Sequence, residues 1–512
     1  VIIEPGHADF EAAHASGRAQ VVWTRVIDDL ETPVSAYLKI AAGRPYAFLF
    51  ESVEGGAWRG RYSIVAMNPD LVWRCRGDLA EIAEGDMVAA GAFTPQSGGA
   101  LDSLRDLIAR TRLDLPDGLP PMSAGLFGAL GYDMIRLIER LPNANPDPFD
   151  LPDAIMIRPS IIAIFDSIAQ EIIIATTVRP SGVSAETAYD AACRRLRKVV
   201  ADLAVPLARQ GERVEPATAP DPFASPIGRD AYGVLVERAK EYIRAGDIFQ
   251  VVPSHRFAAP FALDPFALYR SLRRTNPSPF LFYLNYPGFQ LVGSSPEILV
   301  RMRDGKITIR PIAGTRRRGA TPAEDLALEA ELLADPKERA EHLMLLDLGR
   351  NDVGRVATLR RTGRNTPPSR ATRPSVRVTE SFVIERYSHV MHIVSNVEGD
   401  APEGVDPVDV LMAALPAGTL SGAPKVRAME IIDELEQTKR GIAYAGAVGY
   451  FGADGSVDTC IVLRTALCKD GMVYVQAGGG VVADSDPVAE YEETVQKSRA
   501  LRRAAAEAWR FA

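Results

Sequence analysis

The 512-residue sequence predicts a mixed fold, α+β or α/β, with much antiparallel pairing. Three observations predict it. Stretches of helical period alternate along the chain with short runs rich in β-branched and aromatic residues. No GxGxxG follows a strand and opens a helix, so the pattern is not that of a Rossmann domain. No repeat of fixed period occurs.

In chain order, 33–42 (PVSAYLKIAA) reads as a helix, and 46–52 (YAFLFES) and 61–66 (RYSIVA) as strands. Residues 125–141 (GLFGALGYDMIRLIERL) read as a glycine-marked turn running into a helix. A strand pair is expected at 155–164 and 170–178, and a helix at 184–204. The stretch 205–228, rich in Pro, Ala and charge and without apolar period, reads as a linker. It separates an N-terminal region, 1–204, from a second region, 229–512. Helices are then expected at 229–245, 265–274, 323–348, 424–439 and 486–511. Strands are expected at 248–257, 280–285, 289–293, 297–303, 442–451, 457–467 and 472–477, with 377–398 mixed. Residues 358–375 hold five arginines, three prolines and no acid, which reads as a solvated, basic, flexible insert.

Hydrophobic residues make up 47% and charged residues 24%, the profile of a soluble globular protein. A net charge of −8 argues against nucleic acid as a partner, because such binding needs a basic footprint. Cys75, Cys193, Cys460 and Cys468 show neither CxxC nor zinc spacing and read as reduced, buried thiols. No leader and no apolar run near the ~20 residues of a membrane span appears, so no membrane association and a cytoplasmic location are expected.

Four glutamates suggest chemistry. Glu338 and Glu341 are three apart in one helical stretch; Glu490 and Glu493 are three apart in another, with Lys497 a turn further on. That spacing places each pair on one helix face. Two such faces could offer four carboxylates to a hard cation, although acidic pairs on exposed helices are also ordinary surface. Gly478, Gly479 and Gly480 follow an expected strand, GTLSGAPK (418–425) leads into a helix, and IAGTRRRG spans 312–319. Each can present backbone N–H groups to an anion, or merely turn the chain. With Arg464 they would suit a small dicarboxylate. His389 and His392 lie in RYSHVMHIV. A general acid is a better reading there than zinc, and a packed histidine is the alternative.

These pieces occur in a familiar order. PIAGTRRRG, ERAEHLMLLDLGRNDVGRV, ERYSHVMHIVSNVEG, LPAGTLSGAPKVRAMEIIDELE, RGIAYAGAVGY, DTCIVLRTA, VQAGGGVVADSDP and EYEETVQK together resemble the chorismate-utilising enzymes over about 229–505. TPVSAYLKI, FLFES, RYSIVAMNP and GLFGALGYDMIRLIE resemble the N-terminal half of anthranilate synthase large subunits. Gln250 stands where water-using relatives carry a base lysine, and Ala313 where many aminodeoxychorismate synthases carry a lysine that attacks the ring.

The resemblance implies a complex α+β architecture in two parts, with helices packed around largely antiparallel sheets. It implies conversion of chorismate and ammonia to anthranilate and pyruvate at the start of tryptophan synthesis, with Mg²⁺ as cofactor. Glu341 and Glu493 would bind the metal, assisted by Glu338 and Glu490. Gly314, Thr315, Tyr444, Arg464, Lys497 and the three glycines 478–480 would bind chorismate. His392 would protonate the departing hydroxyl, Thr419 would position it, and Gln250 would mark the ammonia-using chemistry. Glu51 and Ser52, paired with Pro279, Phe280 and Leu281, would form a site in the N-terminal region's keeping for L-tryptophan as feedback inhibitor. No glutaminase nucleophile is evident, so a separate glutamine amidotransferase subunit would supply ammonia within a hetero-oligomer. Two rival readings are an aminodeoxychorismate synthase component I, separable by its product, and a non-catalytic tryptophan-binding regulatory homologue.

Overall fold

A computed structural model describes residues 2–52, 60–142, 145–207, 222–357, 375–386 and 390–512. Most of the linker, almost all of the basic insert and His389 therefore lie outside the described residues.

Every named strand pairing among the described residues is antiparallel. Two long strands, Tyr62–Arg76 and Ala154–Asp166, run side by side and link two arms of one network. Their Tyr62–Met67 and Ile161–Asp166 portions belong to an arm that continues through Phe48–Glu51, Phe280–Tyr286, Phe289–Ser295, Thr465–Lys469, Met472–Gly478 and Ser254–Pro260. The Leu71–Cys75 and Ala154–Arg158 portions belong to an arm that continues through Gly125–Leu130, Ala447–Gly452, Val457–Ile461, Ile298–Arg303, Lys306–Ile309 and Val390–Asp400. The ladder changes register between Pro69 and Leu71, where the long strands pass from one arm to the other.

Strand periodicity explains how the arms stack. Successive side chains point to opposite faces. Phe48, Ile64, Ala66, Ile162 and Ile164 pack inward with Phe127, Ile155, Ile157 and Tyr450 from the other arm. The Phe48 and Phe127 rings lie 5.1 Å apart across that core. Leu49, Val65, Met67, Ile161 and Ala163 point outward onto helices Ala185–Leu203, Pro265–Thr275 and Pro487–Glu507. Leu71, Trp73, Leu126, Leu130 and Met156 form the outer core of the second arm, under helices Ala100–Thr111, Pro336–Ala357 and Pro407–Ala414. The result is two sheets face to face with helices outside each, as expected for an α+β fold built on antiparallel pairing. Strands from both sides of the linker share these sheets: Phe48–Glu51 pairs with Phe280–Tyr286, and Gly125–Leu130 with Ala447–Gly452.

Several local expectations need correction. Residues 125–130 are a strand, followed by a tight helical turn at Tyr132–Leu137. Leu126 and Leu130 pack into one core and Phe127 and Ala129 into the other, so both faces are buried and the segment lacks the alternation that would reveal it. Gly128 permits this packing, because a Cβ there would stand 2.0 Å from the Ile155 carbonyl oxygen. The helix expected at 323–348 is two helices, Pro322–Ala334 and Pro336–Ala357. Pro336 disfavours helical geometry in Asp335, which caps the break with ψ 115°. The strand expected at 457–467 is interrupted, giving Val457–Ile461 and Thr465–Lys469. The mixed 377–398 region contains two paired strands, Arg377–Arg386 and Val390–Asp400. All four cysteines are buried and unbridged.

Candidate active site

The site begins at a bulge. Strand Ile312–Arg317 pairs with Val390–Asp400, and the register shifts between Ala313 and Thr315. Gly314 occupies the shift with φ +80°, a region other residues rarely enter. Its carbonyl oxygen lies 3.3 Å from His392 Nδ1, and Thr315 Oγ1 lies 2.9 Å from the same atom. His392 is buried, and burial, aided by the positive charge of Arg464, pushes its pKa down to about 4. The imidazole is thus neutral at physiological pH. To protonate the departing hydroxyl, as the resemblance implies, His392 would first have to take up a proton.

A residue that sequence reasoning missed fits that task. Glu297, in the run SSPEILV, is 8% exposed, and its Oε2 accepts a 3.3 Å hydrogen bond from Thr419 Oγ1. Burial pushes its pKa up to about 8, against the opposing pull of Thr419, the Ile312 backbone, Arg464 and Lys497. A carboxyl group kept protonated near neutrality is a proton donor in waiting. The available signal was an acid set directly before the apolar start of strand Ile298–Arg303, where burial is costly unless it is paired or neutral.

Arg464 reaches the centre from a strained connection. It has φ +47°, and Ala445 on the neighbouring segment has φ +61°. Such conformations cost roughly 1–3 kcal/mol each and persist only where surrounding contacts enforce them. Here Ala445 N–H donates to Val462 O at 2.7 Å, Val462 N–H to Gly446 O at 2.8 Å, and Ser294 N–H to Arg464 O at 3.1 Å. These bonds also hold Tyr444, which is buried and hydrogen-bonds Ser254.

The two acidic faces meet. Burial raises the Glu341 pKa, Glu338 and Glu493 raise it further, and Lys497 opposes them. Burial likewise raises Glu490, with Glu493 adding and Ser485 and Lys497 opposing. Their side chains are otherwise engaged: Arg316 donates to Glu338 at 2.9 Å, Lys497 pairs with Glu493 at 2.7 Å, and Ser485 donates to Glu490 Oε1 at 2.6 Å. Glu490 Oε2 is buried with no hydrogen-bond partner. Among the described residues no three His, Cys, Asp or Glu side chains are drawn close enough to hold a metal in this arrangement. The donor set still fits a hard divalent cation: four carboxylates on two facing helices, mutually repelling, one with an orphaned buried oxygen.

The glycine run closes the site. A Cβ on Gly478 would stand 2.6 Å from the Pro253 carbonyl oxygen and 2.9 Å from the Tyr444 hydroxyl. On Gly479 it would stand 2.7 Å from Glu490 Oε2, and on Gly480 2.4 Å from Gln250 Nε2. The backbone therefore approaches its neighbours more closely than a larger residue allows. Gln250 is buried, and its Oε1 has no partner. Lys497 Nζ donates to Gly478 O at 3.0 Å. Beneath these groups, buried Arg440 pairs with Glu436 and donates to Leu420 O at 2.6 Å and Val252 O at 2.7 Å. Glu436 in turn accepts from Ser254 N at 2.8 Å, so one ion pair ties the Thr419 turn to the Gln250 strand.

The remaining expected residues gather elsewhere. Glu51 pairs directly with Leu281 in the register of their strands, and Phe50 with Phe282. Pro279 and Leu281 are buried, and Phe280 and Ser52 half-buried beside them in sequence. The buried Glu51 carboxylate accepts from the Tyr269 hydroxyl and, at 2.8 Å, from Arg273 Nε.

Residues 68–503 match the chorismate binding enzyme family. The chain is 56% identical over 504 residues to an anthranilate synthase component 1 from Cereibacter sphaeroides, covering 98% of each. It is 45% identical to another from Synechocystis sp., again over 98% of each. The crystal structure of anthranilate synthase component I from Streptococcus pneumoniae superposes with a TM-score of 0.73 at 34% identity, covering 93% of this chain and 98% of that one. A menaquinone-specific isochorismate synthase from Escherichia coli shares the fold, with a TM-score of 0.69 at 18% identity, covering 95% of this chain and 94% of the other. The chain belongs to the chorismate-binding enzymes and, within them, to the anthranilate synthase component 1 family.

Proposed function

We propose that this chain converts chorismate and ammonia to anthranilate and pyruvate. The observation that carries the reading is near-full-length similarity to anthranilate synthase component 1 proteins, at 56% identity in one case. Arg464 and the backbone N–H groups of 478–480 hold the substrate's carboxylates by charge and hydrogen bonding. Glu297, protonated and steadied by Thr419, gives its proton to the departing ring hydroxyl, which leaves as water. Neutral His392 orients Thr315 and the Gly314 backbone beside that centre. The orphaned Gln250 Oε1 accepts a hydrogen bond from ammonia as nitrogen joins the ring. A ring proton and the enolpyruvyl group then depart, and aromatisation drives the step.

Glu341 and Glu493, with Glu338 and Glu490, would hold Mg²⁺. When bound, the ion would neutralise a substrate carboxylate and stabilise charge that develops during substitution. Ammonia would come from a separate glutaminase subunit, tryptophan would inhibit at the Glu51–Leu281 region, and the enzyme would work in the cytoplasm. Among the described residues no helix is long and apolar enough to cross a membrane.

The purified polypeptide, given chorismate, Mg²⁺ and an ammonium salt, should develop anthranilate fluorescence. Glutamine should substitute only when a glutaminase subunit is added. Accumulation of aminodeoxychorismate instead of anthranilate would overturn the reading.

A further inference from the structure

A second polar cluster lies where the long strands change register. Asp70 is the residue at the shift between Pro69 and Leu71. Arg158 faces it from the partner strand and donates from Nε to Asp70 Oδ1 at 2.7 Å. Arg179, at the end of strand Glu171–Val178, donates to the carbonyls of Arg110 at 3.0 Å and Thr111 at 3.1 Å. It thereby caps the C-terminus of helix Ala100–Thr111. Arg195, from helix Ala185–Leu203, donates from Nε to Thr176 Oγ1 at 3.0 Å.

These contacts leave donors over. Among the described residues, Nη1 and Nη2 of both Arg158 and Arg195 meet no protein acceptor, and Arg179 Nε is buried without a partner. The Arg158 side chain is 13% exposed, and Arg179 and Arg195 are half-buried. Asp70, in contact with Arg158, also attracts Arg179 and Arg195, so among the described residues three guanidinium groups share this one carboxylate and two positive charges are left unbalanced. Arg110 and Arg194 stand close enough to add to the field, and Arg110 is engaged by Glu84 at 3.6 Å. The crowding is felt: burial first, then the neighbouring Arg158, pushes Arg179 down to about 10. Arginine forks desolvated in this way, and drawn from a strand, a strand end and a helix, are the donor arrangement that recognises an oxyanion.

We propose that Arg158, Arg179 and Arg195 form a binding site for a doubly charged tetrahedral oxyanion, either free phosphate or the end of a phosphomonoester. The site is separate from the chorismate centre. None of its residues belongs to the strand that carries His392, to the helices that carry the four glutamates, or to the segments next to Glu297 and Arg464. A dianion balances the two surplus charges and accepts the unused N–H groups, whereas a carboxylate supplies half the charge.

The test is thermal stability and calorimetry on the full chain, titrated with inorganic phosphate, glycerol 3-phosphate or acetate against chloride at matched ionic strength. Saturable binding of phosphate is expected, and Arg195→Gln should weaken it about tenfold or more. Ammonia-dependent turnover by Arg195→Gln should match the unaltered chain and so report an intact fold. Response to phosphate alone assigns the free ion; response to both phosphates assigns the ester class. No saturable phosphate effect, an equal effect of acetate, or undiminished binding by a folded Arg195→Gln overturns the proposal.

Discussion

Thr419 donates its hydroxyl hydrogen to Glu297 Oε2 across 3.3 Å, joining a helical turn to the residue before a strand, 122 residues away in sequence. The contact orients a carboxyl group whose burial favours its neutral form.

Glu297→Gln should slow the chemical step by about two to four powers of ten, the range for a lost general acid. The apparent KM for chorismate should change much less, because the amide keeps shape and hydrogen bonding. Steady-state fluorescence of anthranilate checks both. Retained turnover would remove Glu297 from the proton path.

The same residue predicts a pH dependence. Its folded pKa is raised, so the proton is held below about 8 and lost as pH rises through that value. Turnover, normalised to the concentration of neutral ammonia, should fall above about 8. By linkage, stability favoured by the protonated carboxyl is complete below the unfolded pKa and disappears as pH rises through the folded one. Glu297→Gln should accordingly be no less thermostable than the unaltered chain at neutral pH. A normalised rate that keeps rising beyond pH 8 would contradict the assignment.

His392 should show no titration between pH 5.5 and 8 by NMR, since burial holds it neutral down to about 4. His392→Ala should still lower kcat about a hundredfold, the scale of one lost hydrogen-bonding group at a reacting centre. The high-pH limb set by Glu297 should survive in that variant. An imidazole titrating near 6.5 would restore it as the acid.

Removal of Mg²⁺ by EDTA should abolish turnover, and Glu341→Gln or Glu493→Gln should do so at ordinary Mg²⁺ with the fold preserved. One charged ligand lost from a small hard ion weakens binding and charge stabilisation together. Circular dichroism and Mg²⁺-dependent rates measure the two separately. Normal activity in either variant would sink the metal assignment.

Ser52→Phe should relieve tryptophan inhibition without loss of uninhibited activity. Glu51→Ala should relieve it too, but at a cost in stability. It strips Tyr269 and Arg273 of their shared acceptor. With Arg273 36% exposed, that loss is about 2 kcal/mol after allowance for solvent screening. Inhibition curves and melting temperatures decide; full inhibition in both variants would place the regulatory site elsewhere.

The sequence by itself determined the residue chemistry and the local geometry. Glu338 with Glu341, and Glu490 with Glu493, share helix faces because a helix advances 3.6 residues per turn wherever it lies. The order of these runs was sufficient to mark the family and the residue types at its centre. Only the tertiary structure decided which groups are buried together. Gly125–Leu130 is a strand because neighbours cover both sides, a fact no periodicity within six residues can express. The Glu297 pKa rises and the His392 pKa falls because desolvation, set by chain segments remote in sequence, disfavours charge on both. Spacing is a property of the local backbone; protonation is a property of the surroundings, and those exist only once the sheets have closed on one another.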